Sequence, residues 1–268
     1  MDMKGEVKAF WNDASCGEKL LLESNEKEGY DAQSLERYRL EPEIESFAEF
    51  DRYFGKHVLE IGVGLGADHR RFAENGAITT GIDLTERAIE HTRTRLEHYG
   101  LRSDINLGDA EQLAFTNESF DLVYSWGVIH HSPDTSQVVK EIYRVLKSGG
   151  QAKVMIYHKW SIVGFMLWFR YGLLSFRPQI TLSDIYSQQL ESPGTKAYSV
   201  AEAMNLFSQF ADVKITTYLT HADLLTSGAG QRHEGFLLVL ARMLWPRWLL
   251  KKLFSKLGLF MLIEAKKA

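Results

Sequence analysis

The chain has 268 residues, 45% of them hydrophobic and 25% charged, values that suit one domain with insertions or one domain plus a small cap. A net charge of −4 supplies no overall basic field, so nucleic acid is not an expected partner. The single cysteine, Cys16, excludes an internal disulfide and a cysteine-rich metal site; the opening residues lack the apolar core of a signal peptide, and a cytoplasmic protein is expected.

Residues 1–55 read as an N-terminal helical arm or cap. Helical patterns run over Gly17–Asn25 and Glu41–Phe54, with Pro42 in the first turn of the second. Trp11 is expected to pack the arm on the core. Arg37 and Tyr38 suit either packing or a place over a ligand pocket.

Strand and helix patterns alternate from 57 to 157. Strands are expected over His57–Ile61, Ile78–Ile82, Ile105–Leu107, Phe120–Ser125 and Gly150–Tyr157. Helices are expected over Leu65–Asn75, Thr85–Tyr99 and Ser136–Leu146, with Thr85 and Ser136 as N-caps. This order implies an α/β fold, a doubly wound parallel sheet of Rossmann-like type. Ligands in such sheets bind beyond the carboxyl ends of the strands, where Glu60, Asp83, Asp109, Ser125 and His130 fall.

The first strand breaks on Gly62-Val63-Gly64-Leu65-Gly66, a turn that lets a ligand approach the backbone without meeting a Cβ. Asp83 closes the second strand, where a carboxylate can accept from two ribose hydroxyls; N-capping the next helix is its plainer use. Asp109 follows the third strand and suits an adenine amino group or an ordinary turn equally.

Six segments together resemble the class I S-adenosylmethionine-dependent methyltransferases, nearest the branch with ubiquinone and menaquinone methyltransferases. They are Glu60–Gly66, Gly81-Ile82-Asp83, Gly108-Asp109-Ala110, Phe120–Ser125, Val128-Ile129-His130-His131 and Arg144–Gly150. Ser148 stands where that family usually has proline. The resemblance implies S-adenosyl-L-methionine as cofactor and a seven-stranded sheet in order 3-2-1-4-5-7-6, its last strand antiparallel. It implies Gly62, Gly64 and Gly66 around the methionine part, and Glu60 near its amino group. Asp83 would take the ribose, Leu84 the adenine face, and Asp109 with Ala110 the adenine edge. Ser125 and Trp126 would border the methionine side, and His130 would face cofactor and substrate. Methyl transfer needs alignment and exclusion of water, and a base only where the acceptor carries a proton. His130 is the candidate for that base; His131 is read as structural. The pair lacks a third ligand, so no metal is expected.

Two other classes remain open: an NAD-dependent oxidoreductase, since Gly62–Ala67 also satisfies the dinucleotide pattern, and a non-catalytic relative. Residues 56–268 form the main domain, with lid segments at about 158–200 and 221–258. Trp160–Phe176 is apolar around Arg170, and Gln179–Thr195 reads as loop. Ser199 and Glu202 make a capping box before a helix through Phe207. Val213–Leu219 and Leu259–Ala265 are the last strands, too far apart for a hairpin. Arg247–Leu257 reads as an amphipathic helix. Its apolar Leu249, Leu250, Leu253, Phe254 and Leu257 suit a lid over the core, or a membrane surface met with Lys251, Lys252 and Lys256. The expected acceptor is a small lipophilic or aromatic molecule.

Overall fold

A computed structural model describes residues 2–227 and 244–268. The arm carries more helix than its sequence suggests: α1 (Met3–Asp13), α2 (Glu18–Leu21), α3 (Lys27–Leu40) and α4 (Glu43–Ala48). Pro42 is the N-cap of α4 rather than a residue of its first turn. The helix α3 has no apolar stripe. Its buried face is Gly29, Tyr30, Gln33 and Ser34, and three of these meet the buried Arg95 guanidinium: Gln33 at 2.6 Å, Ser34 at 3.1 Å and the Tyr30 ring at 4.5 Å. A polar interface of that kind leaves no 3.6-residue hydrophobic signal to read.

The main domain runs β1 (His57–Ile61), α5 (Ala67–Glu74), β2 (Ile78–Asp83), α6 (Glu86–His98), β3 (Asp104–Leu107), β4 (Phe120–Trp126), α7 (Thr135–Val145) and β5 (Leu146–Tyr157). Asp134, not Ser136, caps α7, accepting from the Gln137 amide at 2.9 Å. β5 starts four residues earlier than its apolar run because Leu146 pairs with Phe120, and a bulge then absorbs Lys147–Gly150 before Gln151 meets Leu122.

Beyond β5 come α8 (Ile162–Trp168), a π-turn at Phe169–Leu173, α9 (Leu182–Gln189), α10 (Val200–Leu206), β6 (Asp212–Tyr218), α11 (Arg247–Leu253) and β7 (Phe260–Lys266). The helix α9 replaces the loop expected over Gln179–Thr195. It starts on a capping box, Thr181 with Asp184, and buries only Ile185 and Tyr186. The Ser199–Glu202 capping box is present at α10. The expected lid segment His221–Gly258 lies outside the described residues from 228 to 243.

All seven strands form one sheet in order β3-β2-β1-β4-β5-β7-β6, parallel except along both edges of β7. Its centre is closed on both faces. Leu59, Leu122, Val123, Tyr124, Val154 and Ile156 are all fully buried, each stabilising by roughly 1.5–3 kcal/mol. Register then sets the site. Ile61 pairs with Ile82, so Gly62 leaves β1 beside Asp83, the last residue of β2; Glu60 pairs with Tyr124, so Ser125 and Trp126 end β4 on the other flank, paired with Val154 and Met155 of β5.

Candidate cofactor and acceptor site

Beyond the carboxyl ends of β1, β2 and β4 lies a cavity of about 590 Å³. The glycine turn forms its floor. Gly62 (φ 83°) could not carry a side chain, since a Cβ there would come within 2.2 Å of Val128. Gly64 (φ 52°) has nothing within 4 Å of its missing Cβ, which leaves its backbone open to a ligand. Asp83 braces the turn. It accepts from the Gly64 amide at 3.2 Å and from the Thr85 amide and hydroxyl at 3.0 and 2.8 Å. The Leu84 amide faces the same carboxylate, so a ligand at this end would share an oxygen with the turn.

Glu60 lies at 4% exposure beside His69, Oε2 to Nδ1 at 2.9 Å. The hydrogen bonds fix which group holds the proton. Ser103 gives its hydroxyl hydrogen to the Thr79 carbonyl at 2.7 Å, so it accepts from His69 Nε2–H at 2.7 Å. Burial holds the His69 imidazole down at about 4, so the ring is neutral and Nδ1 carries no hydrogen. Glu60 must therefore donate. Burial, with the charges of Asp68 and Asp83, raises its carboxyl well above the usual range and keeps it protonated.

Asp68 is the charged member of this wall. Burial pushes its pKa up, and the Arg37 charge and hydrogen bonds more than offset that. Arg37 grips it twice, at 3.1 and 2.8 Å, and the Tyr38 and Tyr124 hydroxyls donate at 3.1 and 2.9 Å. Arg37 also meets Glu41 at 3.3 Å, and Glu41 accepts from Trp126 Nε1 at 3.1 Å. Both arm residues singled out in the sequence thus bear on the pocket through Asp68.

The arm covers the cavity. Lys4 pairs with Asp109 at 2.7 Å and Glu111 at 2.6 Å, Lys8 with Glu86 at 2.8 Å, and Glu18 with Arg87. Trp11 lines the cavity and meets the His131 ring edge-on at 5.2 Å.

Of the residues expected at the site, Glu60, Gly62, Gly64, Asp83, Leu84, Asp109, Ala110 and Trp126 line this cavity. Gly66, Ser125 and His130 do not. Gly66 is the N-cap of α5 and backs onto Thr92. Ser125 is buried and donates to the Ile61 carbonyl at 3.0 Å. His130 is fully buried behind the wall, its ring 4.2 Å from that of Tyr157, and His131 lines the cavity instead. Lys4, Tyr157, Glu191 and Phe260 also line it, from elements with no motif to mark them. Cys16, which is exposed, lines the cavity mouth as well.

An open sheet in this strand order, with a glycine turn after β1 and an acidic residue ending β2, defines the Rossmann-like methyltransferase fold. The phosphoethanolamine N-methyltransferase 2 of Haemonchus contortus superposes on all of this chain and 60% of its own, with a TM-score of 0.61 at 18% identity. A Thermotoga maritima SAM-dependent methyltransferase covers 88% of this chain with a TM-score of 0.50 at 22% identity. Residues 59–154 match the family described as methyltransferase domain, and the sheet around them has the strand order of the class I S-adenosylmethionine-dependent methyltransferase fold. In sequence, the chain is 36% identical over 118 residues to phosphoethanolamine N-methyltransferase 2 of Caenorhabditis elegans. It is 32% identical over 97 residues to a ubiquinone biosynthesis O-methyltransferase of Coxiella burnetii. These matches span only 26% and 42% of the two relatives.

Proposed function

We propose that this chain transfers the methyl group of S-adenosyl-L-methionine to a small lipophilic or aromatic acceptor. The observation that carries the reading is one continuous cavity with two unlike ends. The open Gly64 backbone and the carboxylates of Asp83 and Asp109 suit the donor's polar parts. Phe10, Trp11, Trp126, Tyr157 and Phe260 give the other end an apolar, aromatic wall. The donor supplies a methyl group already activated by a sulfonium. The chain holds the donor on the glycine turn, covers it with the arm and keeps water from the acceptor. The neutral Glu60 acid and the charged Asp68 place donor and acceptor groups without adding a second free anion. Isothermal titration of the full chain with S-adenosylhomocysteine and with NAD tests the donor. Binding of the first at micromolar Kd and none of the second is expected; the reverse would make the chain an NAD-dependent enzyme.

The residues at 1–55 act in this reading as a cap, and those at about 158–200 and 221–258 as lids. We place the apolar side of the lids at a membrane surface. No residue of α11 is buried, and Trp248 and Leu253 are 71% and 61% exposed. Phe169, Leu174 and Phe176 are exposed near Arg170 and Arg177. Asp223 ties the two segments to the sheet: it accepts from the Val163 and Leu259 amides at 3.1 and 2.9 Å, and its carbonyl accepts from Trp245 Nε1 at 2.9 Å. Aromatic and basic side chains together on a surface suit anionic lipid, and among the described residues no helix is long and apolar enough to cross a bilayer. Co-sedimentation with phosphatidylserine liposomes at low salt, weakening at high salt, is expected. Failure to sediment at low salt leaves these segments as lids alone.

A further inference from the structure

We infer that His130, His131 and Glu191 form a site for one divalent transition-metal ion of the zinc class at the acceptor end of the cavity. One ligand atom from each lies within 4.8 Å of the other two. The sequence offers no third ligand near the histidine pair; the fold brings Glu191 in from the segment after α9, its Oε2 3.3 Å from His131 Nε2.

His131 is held through Nδ1, which lies 3.0 Å from the Thr195 hydroxyl and 2.9 Å from the Ser192 hydroxyl. Its Nε2 is buried and makes no hydrogen bond, although a Glu191 oxygen stands 3.3 Å away. Histidines that ligate metals are held in this manner, the second nitrogen fixed by a hydrogen bond to the protein. His130 adds an independent observation. It is fully buried, and neither ring nitrogen has a hydrogen-bond partner.

Two imidazoles and one carboxylate are a donor set that zinc accepts with an open fourth position. Around a tetrahedral ion with bonds of about 2.0–2.2 Å the ligand atoms stand roughly 3.3 Å apart, which His131 and Glu191 already meet. Glu191 is the least buried of the three, so its carboxylate can close the remaining gap. Because His131 and Glu191 line the cavity, the open position faces the acceptor.

The test uses the tag-free full chain, stripped with chelator and titrated with Co²⁺ in the absence of donor, so its outcome is separate from that of methyl transfer. One equivalent should bind and produce the ligand-field absorption of a four- or five-coordinate ion. Zn²⁺ should displace it. Glu191→Gln and His131→Asn should each weaken binding tenfold or more while circular dichroism stays unchanged. Absence of stoichiometric binding, or binding indifferent to Glu191→Gln, overturns the site. In that event the contact is an ordinary imidazole–carboxylate contact.

Discussion

Replacing Arg37 with alanine should destabilise the fold by about 3–5 kcal/mol, the range found when one partner of a buried ion pair is removed. The loss is not that of a surface salt bridge. Asp68 is 2% exposed, and without Arg37 it keeps only the Tyr38 and Tyr124 hydroxyls at 3.1 and 2.9 Å. A drop in Tm of roughly 10 °C follows for a chain of this size. The pH dependence carries the sign. Asp68 has its folded pKa held below the usual value, so the stability it contributes is present above about 4 and is lost as the pH falls through the folded value. In Arg37→Ala burial is opposed only by the two tyrosine hydroxyls and raises the folded pKa instead. The gap between wild type and variant should be widest near neutrality, begin to narrow as the pH falls through the variant's raised value, and go on narrowing below about 4. Thermal unfolding across that range checks both statements, and a gap independent of pH would remove the charge pair as the cause. Arg37→Lys should recover part of the loss, having the charge without the two-pronged grip.

Asp83→Ala should weaken binding of S-adenosylhomocysteine more than tenfold, about 1.4 kcal/mol or more. Two effects act together. The variant loses the charged acceptor available to a ribose. It also releases the Gly64 amide and Thr85, which Asp83 holds in place, so the glycine turn is no longer braced. Asp83→Asn keeps an acceptor oxygen and should lose less. Titration calorimetry measures the change, with circular dichroism to show that the variant is folded. Unchanged affinity in a folded Asp83→Ala protein would take Asp83 out of the site.

The sheet was legible because strand–glycine–helix junctions write themselves into local sequence. Gly62–Gly66, Asp83 and the Thr85 cap each sit within a few residues of the geometry they determine. The arm was harder. α3 is held by Arg95 against Gln33 and Ser34, and such contacts leave no hydrophobic period. α9 hid in a polar stretch, although Thr181 with Asp184 was a readable start signal. At the site, the glycine turn and Asp83 followed from motifs. The aromatic end of the cavity did not, because Tyr157, Glu191 and Phe260 come from three distant segments and meet only through tertiary packing. Ser125 and His130 show the converse: Ser125 is turned into the core by the strand's two-residue alternation, and His130 by the 3-10 turn Ile129–His131 that follows β4.

The placing of β7 between β5 and β6 has a consequence for folding. β5 and β6 are translated first, yet neither pairs with the other; both wait for Phe260–Lys266. Until those residues leave the ribosome, Val154, Met155 and Ile156 border an unpaired edge, a template for adventitious pairing with another chain. The long excursion between β6 and β7 extends that interval at ordinary rates of synthesis. Nascent chains stalled before residue 260 should thus be the aggregation-prone species of this protein, and chaperone demand should fall once the last strand is inserted.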